Sequence, residues 1–160
     1  MATGHDMGTW RSHIDVRADP GRVLETLTDI RACEAWSPVA FEIAGPEAGR
    51  LTAGTTVAVS GRIARRRVRF CVEIVRANRE RLLLRAAGPV DMLADYVVSP
   101  ADHGSRLHAT ISVRRGSGSG AGVAARATCM LLGAGALKRA LSRVAQEAER
   151  LSEPVPRHAA

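Results

Sequence analysis

The chain has 160 residues, 46% of them hydrophobic and 24% charged, a balance that is typical of one globular domain and excludes a disordered chain. Aromatic residues make up only 3%, so aliphatic and alanine side chains must line any cavity. The formal net charge is +7, but Lys138 is the only lysine among 23 basic residues. Such arginine usage is typical of a GC-rich genome, and the charge alone therefore does not indicate nucleic acid binding.

The cysteines and the lengths of the apolar runs indicate where in the cell the protein is located. Cys33, Cys71 and Cys129 are odd in number and widely spaced, which favours reduced thiols over a disulfide frame or a zinc site. Residues 1–11 lack the apolar stretch of a signal peptide. The longest apolar run near the C-terminus, residues 127–137, is too short to cross a bilayer. We therefore expect a cytoplasmic protein without a membrane span.

The N-terminal part predicts a strand followed by two helices. Residues 10–16 alternate between apolar and polar side chains, as in a strand with one apolar face. Asp19 followed by Pro20 predicts a helix start with Asp19 as N-cap. Asp29 is expected to end that helix and support the next turn. A second short helix is predicted over residues 31–35, because the Trp-Ser-Pro sequence after it disfavours helix. The apolar stripe of the first helix is predicted to be Val23, Leu24, Leu27 and Ile30.

From residue 39 onward the apolar period changes to two, which predicts six further strands separated by turns rich in glycine and proline. Arg65, Arg66 and Arg67 are expected at the tip of the hairpin between the second and third of them. The six predicted strands cover residues 41–43, 55–63, 68–74, 82–87, 92–99 and 107–113.

The C-terminal region predicts one long helix over residues 120–151, about 45 Å long if it is continuous. Gly133 and Gly135 could bend it. Apolar residues spaced alternately by four and three are predicted to share the face that the sheet covers. These residues are Val123, Ala127, Met130, Ala134, Leu137, Leu141, Val144, Ala148 and Leu151.

This order of elements, with its turn residues, resembles the START-like helix-grip superfamily, called SRPBCC, and especially its polyketide cyclase/dehydrase and lipid-transport branch. The resemblance covers residues 9–151. It rests on the segments Ile14–Val16, Asp19–Val23, Leu27–Asp29, Trp36–Val39, Leu51–Gly54, Val98–Pro100 and Gly104–Leu107. These are turn and packing positions, and they therefore specify a fold more than a chemistry.

The resemblance implies an α+β helix-grip fold, in which a curved seven-stranded antiparallel sheet wraps a long C-terminal helix and two short helices follow the first strand. The domain is expected over residues 9–151, with a flexible N-terminus at 1–8 and a flexible tail at 152–160. An apolar ligand would lie between sheet and helix, although the same side chains could simply pack a core. The implied ligand-binding residues are Trp36, Phe41, Val57, Val59, Phe70, Val72, Leu84, Tyr96, Leu107, Ala109, Ile111, Met130, Ala134 and Leu137.

A few polar residues are candidates for chemistry. Tyr96, the only tyrosine, lies on a predicted cavity strand and could act as a catalytic acid toward a carbonyl. The alternative is a tyrosine at the sheet edge with its hydroxyl in water. Asp91 and Asp95 flank this strand and could supply a base or be exposed. Arg85 and Arg114 could hold a carbonyl or carboxylate, but the strand phase favours the convex, solvated face.

Other motifs are interpreted as structural. The five histidines show no metal-ligand spacing with one another or with cysteine, and no Ser/His/Asp nucleophile motif is present, so we expect no metal and no cofactor. His13 and His108 should be exposed. Gly116–Gly122 lacks the Lys-Ser/Thr of a phosphate loop and is interpreted as a hinge. The five arginines of residues 62–69 could attract an anionic surface or an acidic partner, or form a solvated hairpin tip, and no aromatic residues are interleaved for base stacking.

The resemblance implies three functions that the residues do not separate. The first is binding or transport of a small or medium hydrophobic metabolite, polyketide-like or lipid-like, in an internal cavity. The second is an aromatase/cyclase that promotes aldol cyclisation and dehydration through proximity and Tyr96. The third is sequestration of a natural product such as an enediyne, with glycines as cleavage targets. In each case the partner is a hydrophobic small molecule, specific nucleic acid is not expected, and the chain is a monomer or homodimer.

Overall fold

A computed structural model of the protein describes residues 6–37, 41–44, 49–63 and 65–152. The order of elements agrees with the prediction up to the C-terminal helical region. In chain order they are β1 (Asp6–Val16), α1 (Pro20–Thr28), α2 (Ile30–Trp36), β2 (Phe41–Ala44), β3 (Thr56–Ile63), β4 (Arg66–Ala77), β5 (Arg81–Ala87), β6 (Val90–Ala101), β7 (Gly104–Arg115), α3 (Ala121–Gly133) and α4 (Ala136–Ser152).

The seven strands form one curved sheet in the order β1-β7-β6-β5-β4-β3-β2, and every neighbouring pair is antiparallel. α3 contacts β1, β6 and β7, while α4 packs mainly against β1 and α1. The helices therefore lie across one half of the concave face. This is the α+β helix-grip fold that the resemblance implied. Within the described residues, none of the helices combines the length and apolar character that a bilayer span requires.

The first strand begins earlier than predicted. Asp6 lies opposite Arg114, and the pairing of β1 with β7 continues to Val16 opposite Ser105. The sheet thus includes residues 6–8, which precede the expected start of the domain at residue 9. Of the predicted tail, only Ser152, the last residue of α4, lies within the described residues.

The two short helices form where their caps predict. The Asp19 carboxylate accepts a hydrogen bond of 2.8 Å from the backbone N–H of Arg22. The Asp29 carboxylate accepts one of 3.0 Å from the N–H of Arg31, so Asp29 ends α1 and begins α2. The predicted apolar stripe of α1 is buried and holds both helices against the core.

Strand alternation also follows the sequence. Every second residue of β7 is buried, and the side chains between them are exposed or half-buried. The hairpin between β3 and β4 turns at Arg65, which has a φ of 65°. Arg66 and Arg67 belong to β4, opposite Ile63 and Arg62, instead of forming the tip. The buried residues of β7 are Ser105, Leu107, Ala109, Ile111 and Val113.

The C-terminal region is two helices instead of one. α3 ends at Gly133, and α4 begins at Ala136 after a break in which Gly135 takes a φ of 93°. This left-handed conformation favours glycine and stops the first helix. The predicted bend at the glycines is thus a full interruption.

The predicted apolar face is correct for α4 and wrong for most of α3. Leu137, Leu141, Val144 and Ala148 are buried, whereas Val123 and Met130 are 61% and 69% exposed. Ala134 and Leu151 are exposed as well. The sheet packs instead against a face on which all residues but Leu132 are small, because small side chains allow the helix to approach closely. The buried residues of α3 are Ala121, Ala124, Ala125, Thr128 and Leu132.

Candidate functional site

The concave face of the sheet leaves an internal cavity of about 120 Å³ where the C-terminal helices do not cover it. β3 and β4 present alternate apolar side chains to this space, with Val57 opposite Val72 and Val59 opposite Phe70. Gly61, opposite Phe41 on β2, also lines it and fills little of it. The cavity is smaller than the roughly 300 to 1,000 Å³ of common ligand sites, so it matches a compact apolar molecule as it stands.

Eight of the fourteen residues implied as ligand-binding line this cavity. All eight lie on strands, and seven of them on the strands from β2 to β6. They are Phe41, Val57, Val59, Phe70, Val72, Leu84, Tyr96 and Ile111.

The other six do not line the cavity. Trp36 is buried and packs its indole edge-on against Tyr96, with ring centroids 5.3 Å apart. Met130 and Ala134 were expected to face the sheet and are exposed on the outer side of the helical region, because the phase of α3 differs from the prediction. The remaining three are buried in the core away from the cavity, and these are Leu107, Ala109 and Leu137.

Sequence reasoning also missed several lining residues. Leu132 reaches the cavity from the inner face of α3, and Cys33 and Ser37 reach it from the end of α2. Their sequence signals were weak, because α3 was assigned another phase and no periodicity marked the end of α2. The others are small or apolar strand and loop residues, namely Ile43, Leu51, Gly61, Ile74, Ala86, Met92 and Ala94.

Tyr96 is the main polar group of the cavity. Its side chain is 2% exposed and lies on β6, an interior strand, so the alternative of a sheet-edge tyrosine in water is wrong. Burial, and then the neighbouring Cys33, raise the pKa of Tyr96 above its usual value of 10.0. The hydroxyl therefore keeps its proton at neutral pH and can donate a hydrogen bond to a carbonyl. Beside it, the indole N–H of Trp36 is buried without a hydrogen-bond partner among the described residues.

Cys33 is a structural thiol. Its sulfur donates a hydrogen bond of 3.3 Å to the carbonyl of Leu27. Burial, reinforced by the Asp29 carboxylate, raises the pKa of Cys33 from 9.0 to about 12. A protonated, buried thiol is a poor nucleophile, so the cavity offers donors and apolar surface but no activated sulfur.

The other polar candidates lie away from the cavity. Asp95 is paired with Arg81 across β5 and β6, with Arg81 Nε donating at 2.6 Å, and it therefore lacks the freedom of a catalytic base. The Asp91 carboxylate accepts from the N–H of Gly88 at 3.3 Å. Arg85 and Arg114 are exposed, as the strand phase indicated.

The histidines and the arginine hairpin are on the surface. His13 and His108 are exposed and lie opposite each other on β1 and β7, with ring centroids 5.6 Å apart. In the part of the chain that is described, no three His, Cys, Asp or Glu side chains lie close enough to hold a metal. A larger groove of about 440 Å³ includes Glu42, Arg62 and Arg67, and its charged, open lining does not suit an apolar ligand.

Comparison with known proteins agrees with this geometry. The family described as polyketide cyclase / dehydrase and lipid transport matches residues 7–149. The chain belongs to this family. No curated protein matches the sequence.

Solved structures with the same fold share little sequence with this family member. One is the Zhui aromatase/cyclase from Streptomyces sp. R1128, at 21% identity and a TM-score of 0.67, covering 93% of this chain and 97% of that one. A protein of Thermus thermophilus has 17% identity and a TM-score of 0.66, covering 91% and 100%. A protein in the dynemicin biosynthetic locus has 18% identity and a TM-score of 0.53, covering 88% of this chain and 47% of that one.

The buried thiol and phenol predict that the protein loses stability in alkali. Both groups have raised pKa values in the fold, so the unfolded chain releases their protons first. Their contribution is complete below pH 9.0, the ordinary pKa of Cys33, and falls as the pH rises above it. Each group can contribute a slope of up to about 1.4 kcal/mol per pH unit. Urea unfolding at intervals from pH 8 to pH 11 measures this slope.

Cys33→Ala separates the thiol from other titrating groups. Between pH 9.0 and pH 10.0, the usual pKa values of Cys33 and Tyr96, the variant should lose less free energy of unfolding than the native chain. Cys71→Ala is the matched control, because Cys71 is exposed and its variant should keep the native slope. An unchanged slope in Cys33→Ala would contradict the assignment.

Proposed function

We propose that the protein binds a small hydrophobic molecule, polyketide-like or lipid-like, in the internal cavity and acts as a binding or transport protein. The observation that carries this proposal is the lining, which among the described residues is apolar apart from the Tyr96 hydroxyl, the Cys33 thiol and Ser37 and includes no charged side chain. Burial of apolar ligand surface would supply the affinity, at about 25 cal/mol per Å². The Tyr96 hydroxyl, which is protonated at neutral pH, would donate a hydrogen bond and orient a ligand oxygen.

The size of the cavity limits its ligand. A space of about 120 Å³ fits a compact ring system, and a longer molecule requires the surrounding side chains to move. Phe41 on the short strand β2 and Leu132 on α3 line the space from elements at its border. We therefore expect small aromatic molecules to bind more readily than long acyl chains.

Filling the cavity should weaken binding of 2-naphthol, a small aromatic probe with one hydroxyl. Ala86 is 4% exposed and lines the cavity, so Ala86→Leu places three extra carbons in it. We expect the variant to bind 2-naphthol at least tenfold more weakly in isothermal titration calorimetry. Ala87→Leu is the matched control on the same strand, because Ala87 is exposed on the opposite face. Equal affinities of the two variants would exclude this cavity as the binding site.

A cyclase is the second candidate, favoured by the position of Tyr96 and by the fold shared with the Zhui aromatase/cyclase. In aldol closure, a carbon next to one carbonyl attacks a second carbonyl, whose oxygen takes a proton, and water then leaves. Tyr96 could donate that hydrogen bond while the walls hold the chain folded. The described lining contains no carboxylate, histidine or lysine to accept the α-proton, and for this reason we rank binding first.

Tyr96→Phe distinguishes these two candidates. With 2,6-heptanedione as the probe, a cyclase should accelerate formation of 3-methylcyclohex-2-enone and water. If the protein is a cyclase, Tyr96→Phe should lower that rate at least tenfold, because the hydrogen-bond donor is lost. The variant should still bind 2-naphthol within about threefold of the native affinity. A binding protein should give no acceleration over buffer in either form. Gas chromatography of the enone measures the rate.

A third candidate is sequestration of a natural product, and its support is the likeness to the protein in the dynemicin locus. The exposed glycines Gly118 and Gly120, before α3, would be the accessible backbone for cleavage. If this function holds, incubation with an enediyne of the dynemicin class should produce a 1:1 complex and then a defined pair of fragments. Native and denaturing mass spectrometry measure both. An intact chain with no bound drug would exclude sequestration.

A further inference from the structure

The outer face of α3 exposes large apolar side chains to solvent. Val123 and Met130, seven residues apart on the same side of the helix, are 61% and 69% exposed, and Leu131 beside them is 43% exposed. The opposite face of the same helix is buried against the sheet. α3 is therefore apolar on both sides, and none of the described residues covers the outer one.

Basic side chains lie at both ends of this helix. At its N-terminal end, Arg66 Nη1 is 3.2 Å from the position that a Cβ on Gly120 would occupy, and the Arg115 guanidinium is 3.4 Å from the corresponding position at Gly122. At its C-terminal end, Arg139 Nη1 donates a hydrogen bond of 3.0 Å to the carbonyl of Ala134. The exposed apolar side chains thus lie between groups of positive charge.

The sequence around α3 is also unusual in its charge. Residues 103–146 contain seven Arg or Lys and no Asp or Glu, so this stretch carries the whole net charge of +7 and the rest of the chain is neutral in sum. Arg126 is the only charged residue of α3, and it is exposed. Arg106 is paired with Asp15 of β1, and an anionic surface is the electrostatic complement of the other six basic residues.

We propose that α3 docks onto an anionic lipid bilayer. Val123, Met130 and Leu131 enter the boundary between headgroups and acyl chains, and the arginines at the ends of the helix contact lipid phosphates. A helix of 13 residues is too short to span a bilayer and lies along its surface. This inference goes beyond the proposed function, because docking does not depend on what the cavity holds.

Two other occupants fit this surface less well. A symmetric contact with a second copy brings two positively charged stretches together, with no acidic residue in 103–146 to neutralise them. An acidic protein would satisfy the arginines but would set its charged surface against three exposed apolar side chains. A bilayer presents phosphates above hydrocarbon and satisfies both parts of the surface.

The test is cosedimentation with vesicles. Vesicles of phosphatidylcholine and phosphatidylglycerol in equal parts should bind the native chain at least tenfold more tightly than vesicles of phosphatidylcholine alone. Raising the salt from about 0.1 M to about 1 M, where the screening length falls from about 10 to 3 Å, should weaken binding at least tenfold. Failure to bind the anionic vesicles at low salt would overturn the proposal.

Matched double variants separate the helix face from net charge. Val123→Asp with Met130→Asp should weaken binding to anionic vesicles at least 100-fold, because the apolar contact is lost and two negative charges face the lipid. Val75→Asp with Leu93→Asp makes the same charge change at two residues of the sheet, each 39% exposed, and should weaken binding less than tenfold. Met130→Gln, which adds no charge, should weaken it at least threefold. Thermal unfolding followed by circular dichroism checks that each variant folds.

An equal loss of vesicle binding in the two double variants would mean that the protein is attracted by charge alone. That result would favour an acidic partner and overturn docking through α3. A dimer in sedimentation equilibrium that Met130→Asp dissociates would overturn it in favour of a second copy. Ala86→Leu should leave vesicle binding unchanged, because it alters the cavity and not the outer face. Binding of 2-naphthol by this variant therefore tests the cavity assignment, and vesicle binding tests membrane docking, so that either proposal can fail without the other.

Discussion

The C-terminal helices cover only part of the apolar concave face of the sheet, and the rest of the structure depends on this partial coverage. The concave face of the sheet is apolar along most of its strands, but α3 contacts mainly β1, β6 and β7, and α4 packs chiefly on β1 and α1. Where helices cover the sheet, side chains such as Leu107 and Ala109 pack as ordinary core. Where they do not, the inward side chains of β3, β4 and β5 surround the cavity. An apolar surface that neither α3 nor α4 covers favours an apolar ligand.

The partial coverage of the sheet by α3 and α4 also explains which site residues the sequence could predict. Strand alternation assigns the inward face of each strand, and it correctly placed Val57, Phe70 and Leu84 there. It does not say which inward positions a helix will cover, and for that reason the predicted set included Leu107 and Ala109, which do not line the cavity. That information depends on the tertiary placement of α3 and α4, which no local pattern contains.

The phase of α3 could not be predicted for a related reason. Two stripes on this helix have the spacing of a buried face, one with Val123 and Met130 and the other with Ala124 and Thr128. Hydrophobicity favours the first, but close packing against a curved sheet requires the small residues of the second. The strands, the caps at Asp19 and Asp29 and the buried face of α4 were predictable, because there periodicity and packing agree.

Leu132 joins the two surfaces of α3. Its side chain lines the cavity, while Leu131 and Met130, one and two residues earlier, are exposed on the outer side, so a single helix about 10 Å wide separates the ligand space from the exterior. The break at Gly135 leaves α3 without a helical continuation into α4. A ligand leaving past this helix would pass directly into whatever covers its outer face. If membrane hydrocarbon covers the outer face of α3, a ligand can move between the cavity and the membrane without exposing its apolar surface to water. The free-energy barrier to this exchange is then lower than for release into water.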